Sequence, residues 1–297
     1  MNIDNSPPQS ERLAEALLLL VAFIWGSGFV ATHGALASGV SPIFITALRF
    51  AIATALLYIL YFRRLRNLKP LLLPGAVLGF FLATAFIFQT IGLRYTTPSK
   101  NAFLTATNII FTPFIYFIAT RCPIRRRIIL SVALAIIGIA FLTLDEVSRI
   151  NLGDLLTLIC AVFFAFHIYF IGFYVKDKGC EVIKIVFLQF FYAACISTAA
   201  ALVFERSFVL PPKGFAYVGY LAVFSTAIAF FIQNSMQRFV TQSKTALILS
   251  AEAAFGTLLS IILLKERITS LMIAGFILLF LGIVAALDFM QTDKLSP

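Results

Sequence analysis

Gln89-Thr90-Ile91-Gly92-Leu93-Arg94-Tyr95-Thr96-Thr97-Pro98-Ser99-Lys100-Asn101-Ala102 returns later in the chain as Gln233-Asn234-Ser235-Met236-Gln237-Arg238-Phe239-Val240-Thr241-Gln242-Ser243-Lys244-Thr245-Ala246. At an offset of 144 residues, Gln89, Arg94, Thr97, Ser99, Lys100 and Ala102 match Gln233, Arg238, Thr241, Ser243, Lys244 and Ala246. All but one of these are polar, so an apolar bias of composition does not produce the match. The chain is a duplicated unit. A weaker alignment at an offset of 139 sets Glu15, Leu17, Ala22 and Trp25 against Asp154, Leu156, Ala161 and Phe164.

The duplicated matter is membrane matter. Hydrophobic residues make up 61% of the chain and charged residues 12%, far from the roughly 45–50% and 25% of a soluble domain, and the mean hydropathy is +1.00. The apolar runs are each about as long as a spanning helix, not the alternating ten or so residues of a barrel strand. Ten spans are expected, at 14–32, 43–62, 72–93, 99–119, 128–144, 153–173, 182–203, 215–236, 243–264 and 269–289. The expected fold is an all-α integral membrane protein of ten transmembrane helices. Five spans per copy is an odd number, so the second copy enters from the opposite side: the helices form two inverted five-helix repeats. The expected layout is a cytoplasmic tail over 1–13, repeats over 14–146 and 147–290, and a cytoplasmic tail over 291–297.

The net charge of +10 would suggest nucleic acid in a soluble protein; here its placement decides. With the N-terminus cytoplasmic, 15 Lys and Arg residues fall inside, seven fall outside and Arg49 alone lies within a span. Cytoplasmic loops carry the excess of basic residues, which places both termini in the cytoplasm of a multi-pass protein of the plasma or inner membrane. The partners this implies are the lipid bilayer and a small molecule, with no nucleic acid and with a monomer or homodimer equally open. Cys122, Cys160, Cys180 and Cys195 have no paired spacing, so neither a disulfide framework nor a metal site is expected. No phosphate loop of the G-x-x-x-x-G-K-[ST] type occurs, and no connection is long enough for a nucleotide-binding domain.

Candidate site residues are those whose chemistry conflicts with hydrocarbon. Glu252 is the one acid at the centre of a span, bracketed by Lys244 and Lys265. Burying such a charge costs about 2.5–3.5 kcal/mol on insertion scales, so it bonds a neighbouring helix, binds a ligand or carries a proton. The offset of 144 carries Glu252 onto Asn108, a second polar side chain at the same depth. Asn101, Thr105, Asn108 and Thr112 recur at helical spacing as one polar face, which lines a cavity or bonds other helices. Gln89 and Gln233 are the paired amides of the opening stretch. Arg49, about 9 Å inside its span, snorkels, pairs with a structural partner or meets an anionic ligand group. His167 is a satisfied core residue or a proton carrier. Trp25, set between the small residues of Trp25-Gly26-Ser27-Gly28, is a cavity wall or plain packing beside a close helix crossing. His33 is expected in the loop after the first span.

The residues Trp25-Gly26-Ser27-Gly28-Phe29-Val30, Leu48-Arg49-Phe50, Gly92-Leu93-Arg94-Tyr95-Thr96-Thr97-Pro98-Ser99, Phe103-Leu104-Thr105, Phe111-Thr112-Pro113 and Leu264-Lys265-Glu266-Arg267-Ile268-Thr269, in this order, resemble the drug/metabolite transporter superfamily. The resemblance is to its ten-helix EamA type and covers nearly the whole chain. It implies a transporter of small metabolites, commonly amino acids or related compounds, with cytoplasmic termini and a central cavity. Two departures stand out. Glu252-Ala253 replaces the Glu-Pro frequent in the ninth span, and Glu266 has no counterpart in the first copy.

The expected function is secondary active transport, by alternating access, of an amino-containing or zwitterionic metabolite. Glu252 would attract a cation or carry a proton, Arg49 would meet a carboxylate, and no cofactor is needed. A channel or lipid flippase is the alternative. An intramembrane enzyme lacks its constellation: neither H-E-x-x-H nor G-x-S-x-G occurs, and no second buried carboxylate pairs with Glu252.

Overall fold

The computed structural model describes residues 9–121, 133–134, 137–138, 141, 151–240, 242–267, 269–271, 273–278 and 280–281. Eight helical stretches among them are long and apolar enough to cross a membrane: Ser10–Ala37, Pro42–Tyr61, Lys69–Leu93, Pro98–Thr120, Leu152–Asp177, Val182–Phe204, Pro212–Met236 and Lys244–Leu264. They coincide with eight of the ten expected spans. The span expected at 128–144 lies almost wholly outside the described residues, and that at 269–289 does so beyond 281.

The helices are α1 (Gln9–Ala37), α2 (Pro42–Tyr61), α3 (Leu72–Leu93), α4 (Pro98–Ala106), α5 (Asn108–Thr120), α6 (Leu152–Ile171) and α7 (Val182–Phe204). After them come α8 (Pro212–Tyr220), a π-helical segment (Leu221–Ile228), α9 (Ala229–Met236), α10 (Gln242–Ser250) and α11 (Glu252–Leu264). No strand occurs among the described residues. One expectation is corrected at α1. The helix is described from Gln9, with Glu11 in its first turn, where a helix's partial positive charge favours an acid. It also runs on to Ala37, so His33 is helical.

The polar face of the fourth span is not one straight helix. The chain breaks at Thr107, between α4 and α5, with φ −63° and ψ −9°. There the Thr107 backbone N–H and hydroxyl both donate to the Leu104 carbonyl, at 3.3 and 2.6 Å, which tightens the turn to i→i+3 geometry. Pro113, lacking an N–H, lies further along α5. The ninth span breaks at Ala251, with φ −59° and ψ −15°, 144 residues after Thr107. The Ala251 backbone N–H donates to the Ile248 carbonyl at 3.2 Å, again in i→i+3 geometry, so the break persists where the Glu-Pro pair is absent. Both second halves end on a left-handed residue, Arg121 (φ 60°) and Lys265 (φ 56°), again 144 apart.

The two broken spans lie against each other, α4 on α11 and α5 on α10. First half meets second half in both cases, so the spans run antiparallel. Around them α1 packs on α11 and α6 on α5, while α3 contacts α6 and α7. The crossing of α1 over α11 is close. A Cβ on Gly26 would lie 2.7 Å from the Phe255 Cβ and 2.8 Å from the Gly256 nitrogen. The small residues of the first span make the helix crossing that their size suggests.

Candidate functional site

The centre of the bundle is aromatic. Trp25 packs on Phe230 at 4.9 Å between ring centroids and Phe164 packs on Phe86 at 5.1 Å. These are one pair built twice, since Phe230 follows Phe86 by 144 and Phe164 follows Trp25 by 139. Between them lies a cavity walled by all eight candidate residues: Trp25, Arg49, Gln89, Asn101, Asn108, His167, Gln233 and Glu252. About 40 Å³ of it is open to the centre of a water molecule, room for on the order of three waters.

Arg49 does not snorkel. It is 2% exposed, and its guanidinium stands 4.1 Å from the centre of the Phe86 ring. Nε donates to the Thr226 hydroxyl at 2.9 Å and Nη2 to the Ser225 hydroxyl at 3.3 Å. Both acceptors belong to the π-helical segment, where Thr226 in turn donates to the Leu221 carbonyl at 2.8 Å. The Ser225 carbonyl accepts from Trp25 Nε1 at 2.9 Å. π-Helical segments recur at functional sites. Trp25 is therefore both packed and part of the cavity wall.

Glu252 and Asn108 are equivalent in the two copies and hold equivalent places: each is the first residue of a helix that follows a break, α11 and α5. A helix start tempers the cost of burying an acid. The Glu252 carboxylate has no hydrogen-bonding or ionic partner among the described residues, although Glu252 is 5% exposed. No carboxylate among them pairs with Arg49 either. An acid and a guanidinium thus share one cavity without pairing.

The amides divide into bound and unbound atoms. Asn101 Nδ2 donates to the Thr157 hydroxyl at 2.7 Å and Gln89 Nε2 to the Thr105 hydroxyl at 3.2 Å. The Asn101 and Asn108 side-chain oxygens, and both polar atoms of the Gln233 amide, are buried without a hydrogen-bond partner. Orphaned buried amides of this kind are expensive unless water or a ligand meets them. His167 Nε2 bonds the Gln189 side-chain oxygen at 3.0 Å, so the histidine is both satisfied and cavity-lining.

Sequence reasoning missed the aromatic walls and Ser225-Thr226. Phe86, Phe164 and Phe230 carry no contrast in a chain with 33 phenylalanines. Ser225-Thr226 did carry a signal, a hydroxyl pair in the middle of an apolar span, placed to meet a buried arginine.

The sequence matches the EamA-like transporter family twice, over residues 12–144 and 151–287. This chain belongs to the EamA-like transporter family. The two matched stretches begin 139 residues apart, the offset that sets Trp25 against Phe164. A relative from Archaeoglobus fulgidus described as an uncharacterized transporter is 32% identical over 271 residues, 91% of this chain and 84% of its own. A solved crystal structure, 19% identical, aligns over 98% of this chain and 100% of its own with a TM-score of 0.68, and so shares the fold. The EamA protein is thus a multi-pass membrane transporter and not an enzyme.

Proposed function

We propose that this EamA protein moves a small amino-containing or zwitterionic metabolite by alternating access through the central cavity. The observation that carries the reading is the pair of buried, mutually unpaired charges, Glu252 and Arg49, on one cavity with orphaned amide atoms of Asn101, Asn108 and Gln233. A zwitterion would place its ammonium at Glu252 and its carboxylate at Arg49, with the amides as neutral donors and acceptors. Phosphorylated substrates call for several buried cations, and among the described residues Arg49 is the one Lys or Arg on the cavity wall.

The antiparallel packing of the two broken spans supports an inverted repeat, whose two asymmetric arrangements would open the cavity to opposite faces. Both termini lie in the cytoplasm on this reading, and Glu252 is the candidate proton carrier. The test is counterflow in vesicles of the purified protein: an amino acid loaded inside should accelerate entry of the labelled compound. A channel gives no such trans-stimulation, and its absence across an amino acid library would overturn the transporter mechanism proposed here.

A further inference from the structure

Outside the central cavity, a crevice of about 900 Å³ lies between α1, the α10–α11 break and the helical residues 273–278 and 280–281. Its rim is lined by Leu19, Ile277, Phe280 and Leu281, all exposed. Its deep end is closed by Phe103 and Phe276, whose rings stack with centroids 3.9 Å apart. On a membrane protein such a rim faces hydrocarbon, so the crevice opens sideways into the bilayer and not toward water. One end differs. Arg12, Glu15 and Lys244 line it, and there Lys244 is ion-paired with Glu11 at 2.9 Å and also with Glu15. Two carboxylates on one ammonium leave that cluster one negative charge, which the nearby Arg12 balances. Arg12 is left exposed with no partner among the described residues.

The length of the crevice matches this polarity. From Arg12 to Leu19 along α1 is about 10 Å, and from Lys244 to Ala254 about 15 Å, at 1.5 Å per residue. Half of a hydrocarbon core about 30 Å thick is also about 15 Å. The crevice therefore runs from headgroup level to mid-bilayer, the depth of one leaflet, with the unpaired guanidinium of Arg12 in a mouth of balanced charge. We propose that it is a phospholipid site, with the phosphodiester on Arg12 and an acyl chain along the groove to Ala254. Ser250, Ala251 and Ala253 also line it, so the chain lies against the break that precedes Glu252.

The test uses the full chain purified in a mild non-ionic detergent. Retained lipid is quantified by extraction and mass spectrometry. The delipidated protein is then titrated in thermal melts with phosphatidylglycerol, diacylglycerol and glycerol 3-phosphate. Wild type should retain phospholipid after washing and regain thermal stability with phosphatidylglycerol. Arg12→Gln should weaken the phosphatidylglycerol response about tenfold, the loss of a hydrogen bond to a charged group, and leave that to diacylglycerol unchanged. Ala254→Trp should abolish both responses by filling the groove. If that variant does not melt cooperatively, Leu19→Trp on the rim carries the same expectation. An unchanged phosphatidylglycerol response in Arg12→Gln, or in the filled variant, would overturn the site. Glycerol 3-phosphate acting as well as the whole lipid would also overturn it, as a water-borne anion site.

Discussion

At the scale of single residues, the chemistry of the cavity rests on Glu252, the buried acid without a partner among the described residues. Glu252→Gln keeps the shape of the side chain and removes its charge and its proton. We expect uptake into vesicles to be abolished, or to persist without its dependence on a pH gradient. Wild-type rates with wild-type pH dependence would remove Glu252 from the mechanism. This residue was legible in the sequence because an acid at the centre of a span conflicts with its solvent. Asn108, Arg49 and Gln233 were found on the same ground. The walls were not legible: Phe86 and Phe230 are two apolar residues in an apolar chain, and only packing singles them out. Arg49 was legible as a cation inside a span but left between snorkelling, a structural partner and an anionic ligand group; its partners in the π-helical segment depend on a backbone register that composition does not encode.

At the scale of the element, the repeat offset predicted more than it was asked to. It was drawn from the polar residues of one stretch, yet the breaks at Thr107 and Ala251 and the left-handed ends at Arg121 and Lys265 obey it. The break itself was hidden, because the spacing of Asn101, Thr105, Asn108 and Thr112 fits an unbroken helix. The crossing of α1 and α11 gives a direct test of packing. Gly26→Ala adds a Cβ 2.7 Å from the Phe255 Cβ and 2.8 Å from a backbone nitrogen, so the helices must part, at a cost of about 1–3 kcal/mol. Gly219→Ala is the control, since nothing lies within 4 Å of its added Cβ and alanine favours the helix. Thermal melts in detergent should show a lower midpoint for the first and an unchanged or higher one for the second. Equal midpoints would mean that the crossing is looser than described.

At the scale of the whole molecule, the eight described spans follow hydropathy closely, because hydrocarbon thickness sets helix length. Orientation comes from charge alone. We assign the loop carrying Arg63, Arg64 and Arg66 to the cytoplasm on the charge count, and Arg66 is exposed. With Cys122, Cys160, Cys180 and Cys195 replaced, Arg66→Cys should resist an impermeant thiol reagent added to intact cells and react once the membrane is opened. Labelling from outside would reverse the topology.

The tryptophan on the cavity wall has a practical consequence. Trp25 is the only indole in the chain, and its ring nitrogen and ring face both point to groups around the cavity, the Ser225 carbonyl and Phe230. Its fluorescence therefore comes from one known place. Any compound that displaces water there, or draws the π-helical segment away from the indole, changes the colour or yield of that emission. The protein carries its own optical probe of occupancy, with no label to attach.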